Sequence, residues 1–172
     1  MRPFSSSREK NHVCKTMSVK LKGPWTRAET DAFLQNCSWP LRLACTGADG
    51  YPRVVSVWYR FHNSTLQCVS HRNSALVRLI ERDPRTGFEL APNDPPYHGV
   101  RGQGRVSMAP LGDSDVLEAL LDRYLGDQES RVGNWLLSRK DEEMLLTITP
   151  ERLFTWDYRQ RMADVTTDPA PR

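Results

Sequence analysis

From residue 41 onward the hydrophobic positions recur mostly at every second residue. "LRLACTG" sets Leu41, Leu43 and Cys45 on one side and Arg42, Ala44 and Thr46 on the other, the period of a strand with one buried face. "ADGYP" follows with Asp49-Gly50, a strong hairpin signal, and "RVVSVWYRFHN" resumes the alternation. After a turn at Asn63-Ser64 comes "TLQCVS", so the pattern predicts three antiparallel strands in a meander. "RTGFELAP" and "YHGVRGQGRVSMAP" read as two more strands joined by the proline-rich "APNDPP". "EMLLTITPERLFTWDY" reads as two closing apolar runs around a turn at Pro150-Glu151.

Helical spacing interrupts this pattern at four places. In "WTRAETDAFLQN", Thr26 and Glu29 form a capping box and Ala28, Ala32 and Phe33 share a face; Pro40 stops the segment. "NSALVRLIERDP" carries Leu76, Leu79 and Ile80 at helical spacing behind a cap at Asn73 or Ser74, and ends at Asp83-Pro84. "SDVLEALLDRYLG" places Val116, Leu117, Leu120, Leu121 and Leu125 on one side, with Ser114 at the cap and Gly126 at the end. A last helix is expected in "ESRVGNWLLSRK". Strands dominate and sequential ones are antiparallel, so the expected class is mainly β: a β-barrel with peripheral helices, not a doubly wound parallel sheet.

A chain of 172 residues with 38% hydrophobic and 26% charged residues suits one globular domain. We place it at residues 23–162, after a polar, loosely ordered lead-in (1–22, with Met17 as an alternative start) and before a polar tail (163–172). A net charge of +3 is too mild for a nucleic-acid module, and a local anionic ligand fits better. No apolar run reaches membrane-spanning length and no signal-peptide stretch is present; a cytoplasmic protein is expected. Cys14, Cys37, Cys45 and Cys68 show no Cys-x-x-Cys pair, and His12, His62, His71 and His98 no helical metal spacing. Buried free thiols and no metal are the reading.

Two places hold candidate chemistry. "CVSHRNSALVRLI" feeds a strand into a helix whose first turn carries Arg72, Asn73 and Ser74; free N–H groups, the helix dipole and a guanidinium there favour an anion, or Asn73 and Ser74 only cap the helix. In "YHGVRGQGRVSM", Arg101, Gln103 and Arg105 share one face of a strand. Gly99, Gly102 and Gly104 imply close approach by another backbone or by a ligand. "FTWDYRQRM" gathers Trp156, Tyr158, Arg159 and Arg161. No nucleophile-elbow, Walker-type or dinucleotide-fold motif occurs in its required context.

The order of these strings, "LACTGADGYPRVVSVWYRF", "VSHRNSALVRLIERDPRTGFEL", "YHGVRGQGRV" and "ITPERLFTWDYRQRM", resembles the pyridoxamine 5′-phosphate oxidase-like family of flavin- and deazaflavin-binding split β-barrels, from about Trp25 to Met162. The resemblance implies an antiparallel split barrel forming a homodimer, with cofactors in clefts at the interface. Carried onto this chain it implies that Arg53, Val54, Val55 and Ser56 flank the cofactor ring, and that His71, Arg72, Asn73 and Ser74 face its phosphate. Gln103, with Gly102 and Gly104, lies beside the cofactor, and Trp156 and Arg159 reach the other subunit's site. One position departs: many relatives carry a Lys two residues after the Ser of the junction, and Leu76 stands here, so either Arg72 or Arg78 supplies the charge or phosphate binding is weakened or lost. The implied function is an FMN-dependent oxidoreductase acting on a small molecule, with Tyr97 or His98 at the substrate end. The alternatives are a deazaflavin-dependent reductase, whose acidic coenzyme tail suits Arg101, Arg105 and Arg161, and a non-catalytic flavin- or haem-binding protein.

Overall fold

The computed structural model describes residues 19–126 and 130–165. His12, Cys14, Met17 and most of the expected lead-in and tail lie outside these residues. In chain order the elements are β1 (Lys20–Lys22), α1 (Arg27–Asn36), β2 (Leu41–Thr46), β3 (Pro52–Val57), β4 (Arg60–His62), β5 (Thr65–His71), α2 (Ala75–Arg82), β6 (Arg85–Leu90), β7 (His98–Pro110), α3 (Val116–Leu125), α4 (Arg131–Ser138) and β8 (Glu143–Asp157). A single 3-10 turn, Lys140–Glu142, leads into β8. No described helix is long and apolar enough to cross a membrane.

The strands form one sheet in the order β3-β2-β6-β7-β8-β5-β4, antiparallel along this path, with β1 added parallel to β8. β3 and β4 stand at opposite ends of this path, yet only Trp58 and Tyr59 separate them in sequence. Three peptide units reach about 10 Å at most. The sheet therefore curls until its two edges nearly meet, and stays open between them: a split barrel.

This geometry corrects the expected meander. "RVVSVWYRFHN" is two strands, because β3 pairs with β2 whereas β4 pairs with β5. The break falls where Trp58 stacks on Tyr124, centroids 5.2 Å apart, and where the Tyr59 backbone N–H donates to the Tyr124 hydroxyl. Fully buried Tyr59 turns inward, its hydroxyl shared between the Leu34 and Cys37 carbonyls at 2.9 and 3.1 Å. The two expected hairpin turns form: Gly50 has φ +83°, and Asn63 and Ser64 have φ +47° and +60°, as a two-residue turn onto a twisted hairpin needs. The turn expected at Pro150-Glu151 does not form. β8 runs through it as one 15-residue strand, with Gln103 opposite Arg152 and Gly104 opposite Pro150. Glu151 is thus the extra residue of a β-bulge, and it shifts the inside-outside alternation, which makes one strand look like two runs in sequence.

The barrel interior takes Leu41, Leu43 and Cys45 from β2, Leu66 and Cys68 from β5, Phe88 and Leu90 from β6, and Val100, Val106, Leu146, Ile148 and Leu153 from the two long strands. Helix α1 adds Leu34, and α2 adds Leu76, Val77 and Ile80. The α1 capping box forms, with Glu29 N–H donating to Thr26 Oγ1 and Thr26 N–H to Glu29 Oε2. Its buried residues are Thr30 and Leu34, with Ala28 and Ala32 exposed; burying Leu34 removes more apolar area from water than burying an alanine. At α3 the N-cap is Asp115 instead of Ser114, Leu125 lies on the exposed side, and Gly126 at φ +67° ends the helix. Lys20–Lys22 is already strand, so the ordered domain begins before residue 23. Cys37, Cys45 and Cys68 are buried free thiols; burial pushes all three thiol pKa values up, that of Cys68 to about 12.

A second apolar cluster lies outside the barrel. Leu111, Val116, Leu117, Leu120 and Leu121 pack with Trp58, Val69, Leu136 and Leu145. It fixes α3 and α4 against the outer side of β5 and the start of β8.

Candidate functional site

The inward alternation of β2, β6 and β7 puts a second set of residues on the outer face. Register aligns Val54, Ala44, Gly87 and Gln103 in one row across β3, β2, β6 and β7. Small side chains in the middle of a row flanked by long ones leave a trough. It holds two adjoining cavities of about 480 and 420 Å³ that share Ala44, Gly87 and Gln103. Arg42, Arg85, Arg101 and Arg105 stand on its walls. The Arg101 guanidinium lies 5.9 Å from the ring centres of both Phe154 and Trp156, Arg42 pairs with Glu89 at 3.2 Å, and Arg105 pairs with Glu151 at 3.4 Å.

Over the edge of β3 the trough continues into a groove of about 450 Å³ between β3 and α2. Val54 belongs to both. Val54, Val55, Ala48, Ala75, Leu76 and Leu79 give the groove an apolar floor, and Arg53, Arg78 and Arg82 bring three guanidinium groups to it. The hairpin positions Arg53: Asp49 accepts from its guanidinium at 2.6 Å and from Tyr51 N–H at 3.1 Å. That pairing holds the Asp49 carboxyl below its usual range. Arg78 reaches back to the Asn73 carbonyl at 2.6 Å. β3 and the loop before it are exposed here, with Val54 at 65% and Tyr51 at 68% of full exposure.

The residues expected at the strand-helix junction do form the joint, but none of them lines the groove. Ser74 is the N-cap, its Oγ accepting from Val77 N–H at 3.1 Å and lying 2.9 Å from Ser70 Oγ. The Asn73 N–H donates to His71 Nδ1 at 3.1 Å, so the His71 hydrogen sits on Nε2 and donates to Glu142 Oε2 at 2.7 Å. Glu142 is held below its usual range by that bond. Arg72 is bound to the 3-10 turn, its guanidinium donating to the Asp141 carbonyl and its backbone N–H to the Glu142 carbonyl. His71 and Arg72 therefore tie β5 to the start of β8, and Arg78 and Arg82 are the α2 cations at the groove.

Of the other expected residues, Arg53, Val54 and Val55 line the groove and Gln103 the floor of the trough. Ser56 lines a separate crevice next to Trp58. Gly102 and Gly104 face inward. A Cβ on Gly102 would stand 2.3 Å from the Phe88 ring, and one on Gly104 would stand 2.4 Å from the Thr149 carbonyl oxygen. The close approach these glycines allow is thus by the chain itself. Trp156 lies on the outer face against Arg101. Arg159 is beyond the end of β8, bound to Asp157 and 5.9 Å from the Trp25 ring centre. His98, close to Trp25 and Phe33 with Nδ1 donating to the Pro96 carbonyl at 2.8 Å, belongs to the α1 side and lines neither cavity. Ala44, Gly87 and Arg82 were missed by sequence reasoning; a small residue at an outward position of each of two predicted strands was the available signal, and only the register turns it into a trough.

No protein-family model matches the chain, and no curated protein matches it in sequence. Solved structures do match in shape. A conserved hypothetical protein from Mycobacterium tuberculosis superposes with a TM-score of 0.69 at 20% identity, covering 87% of this chain and 94% of that one. An F420 reductase gives 0.59 at 21% identity over 70% and 92%, and HutZ, the haem storage protein from Vibrio cholerae, 0.58 at 17% over 74% and 92%. At these identities the likeness is one of fold. The chain has the split β-barrel fold of the pyridoxamine 5′-phosphate oxidase-like proteins.

Proposed function

We propose that the protein is an oxidoreductase that binds a flavin-type cofactor, FMN in the first reading, in the groove between β3 and α2, and acts on a small molecule. The observation that carries this is the groove's composition. A floor of Val54, Val55, Leu76 and Leu79 suits the face of a ring system, and Arg53, Arg78 and Arg82 around it suit an anionic phosphate. When bound, such a cofactor supplies the transfer of an electron pair; the chain supplies the surface that orients it and the charges that hold it. Leu76 is 7% exposed and belongs to the core. The cation that many relatives carry at this position therefore has its counterpart in Arg78, two residues on and at the groove.

The groove and trough are open, and the strand between them carries exposed apolar residues. That arrangement suits a second copy of the chain laid over this face, with Trp156 and Arg159 contributing from the partner side, so a homodimer belongs to the proposal.

The basic walls of the trough favour one second reading, a deazaflavin coenzyme. Arg42, Arg85, Arg101 and Arg105 carry guanidinium groups well past the groove, and although Glu89, Asp83 and Glu151 pair with three of them, their remaining N–H donors suit an acidic coenzyme tail; one structural neighbour is an F420 reductase.

Fluorescence titration with FMN and with the deazaflavin coenzyme, at low and moderate salt, tests both. Binding of either in the micromolar range is expected, with Arg78→Ala weakening it by roughly tenfold to a hundredfold, the value of one charge-assisted bond. A steeper salt dependence for the deazaflavin coenzyme identifies it as the ligand of the basic trough. Failure of both to bind, with haem binding instead, replaces the oxidoreductase reading by the non-catalytic one.

A further inference from the structure

A crevice of about 260 Å³ opens between β3 and the α3-α4 pair, separate from the groove and the trough. Its walls are apolar: Val57, Trp58, Val69, Leu117, Leu120 and Leu136. One charged side chain faces it, Glu143, whose residue surface is 4% exposed.

Glu143 is an unusual group to find there. It opens β8 directly opposite His71 of β5, at the point where the 3-10 turn delivers the chain into the sheet. Arg139 Nε stands 3.2 Å from its Oε1 as an ion pair, but that Nε has no hydrogen-bond partner of good geometry, and the Arg139 guanidinium leans 4.6 Å from the centre of the Trp135 ring. Burial pushes the Glu143 carboxyl up, against the pull of Arg139. A carboxylate nine-tenths buried and set against apolar walls costs stability that apolar packing alone would not incur, even with Arg139 paired to it. Glu143 lines the crevice, so a further donor for this carboxylate can come from there.

We infer that this crevice is a ligand site for a small, mainly apolar or aromatic molecule carrying an amine or other N–H donor, which binds with its donor on Glu143 and its body against Trp58, Leu117, Leu120 and Leu136. The volume of about 260 Å³ lies just below the roughly 300–1,000 Å³ of drug-sized pockets, which fits a one-ring ligand. Ser56 and Val57, at its mouth, follow Val54 and Val55 of the groove on the same strand, so successive residues of β3 serve two adjoining sites. The inference does not depend on the cofactor reading, and its test uses the protein without added cofactor.

The probes are benzylamine, benzyl alcohol and benzoate, followed by protein-observed NMR. Benzylamine is expected to bind the wild type and shift resonances of Trp58 and Leu120, benzyl alcohol to bind more weakly, and benzoate not at all. Glu143→Gln keeps the shape and removes the charge; it should weaken benzylamine at least tenfold while leaving benzyl alcohol within about twofold. Leu136→Trp, at the half-buried rim, should block both. The dispersed spectrum of each variant reports folding in the same experiment. The inference is overturned if folded wild type binds no probe up to about 10 mM, if Glu143→Gln binds benzylamine as the wild type does, or if benzoate binds as well as benzylamine.

Discussion

Gly102 offers a sharp test of what the glycines of β7 are for. Its φ is not in the left-handed region, so alanine is compatible with the backbone there and only space opposes it. A Cβ would stand 2.3 Å from Phe88 Cζ, 2.7 Å from Phe88 Cε2 and 2.9 Å from the Arg152 carbonyl oxygen. Phe88 is 4% exposed and belongs to the interior cluster, so its ring yields only by displacing its packed neighbours. Overpacking of this kind costs about 1–3 kcal/mol, while replacing a strand glycine returns roughly 0.5–1 kcal/mol of chain entropy. Gly102→Ala should therefore destabilise by about 1–2 kcal/mol, lowering Tm by about 3–8 °C for a domain of this size. Urea denaturation of the wild type, Gly102→Ala, Phe88→Leu and the double variant measures the coupling. Shortening Phe88 should relieve the clash, so the alanine should cost at least about 1 kcal/mol less in the Phe88→Leu background. If Gly102→Ala is neutral or stabilising, or its cost is the same in both backgrounds, the glycine is not there for Phe88. If it leaves stability intact and abolishes cofactor binding, the ligand explanation is restored.

The remaining predictions concern charge and the barrel seam. Asp83, clasped by Arg85 through Nε and Nη2 at 2.9 and 2.7 Å, has its pKa lowered from 3.8 to about 2. A carboxyl depressed in the folded state contributes stability that is present above its unfolded pKa and lost as pH falls through the folded one, so stability should decline between about pH 4 and pH 2. Asp83→Asn should flatten that limb in a series of urea midpoints against pH. Asp157, held further below the usual range by Arg159 and by a 3.0 Å bond from Trp25 Nε1, has the same sign, and Asp157→Asn should add its own flattening at the acid end. Tyr59→Phe removes the hydroxyl shared by the Leu34 and Cys37 carbonyls in a fully buried place; a loss of about 1–3 kcal/mol in denaturant stability is expected, and a change within about 0.5 kcal/mol contradicts the seam role given to this residue.

What the sequence made legible follows from the range of the interactions involved. The capping box at Thr26 and Glu29, the Gly50 and Asn63-Ser64 turns, and the stop of α2 at Asp83 depend on neighbours a few residues away, and each forms as the local chemistry requires. So does the parity that turns Arg101, Gln103 and Arg105 outward, which needs only the pleat. The failures share the opposite cause. "RVVSVWYRFHN" keeps its alternation through Trp58 and Tyr59, yet it parts there because Tyr124, 65 residues away, takes the Tyr59 N–H. β8 reads as two runs because Glu151 is extruded opposite β7, a fact of pairing invisible in one strand.

The same division decides the candidate site. Arg53, Val54 and Val55 are near the groove because a hairpin brings them there. Arg72 is not, since the carbonyls of Asp141 and Glu142, about 70 positions on, capture it. Once Arg72 is held by the turn that opens β8, the α2 charges at the groove are Arg78 and Arg82, one and two turns into the helix instead of at its start. An anion in the groove would then meet guanidinium groups from the side of α2 as well as the dipole at its N-terminus. Arg78→Ala and Arg72→Ala separate these contributions. The first should weaken an anionic cofactor directly. The second should act only through the joint it holds, lowering stability with little change in affinity.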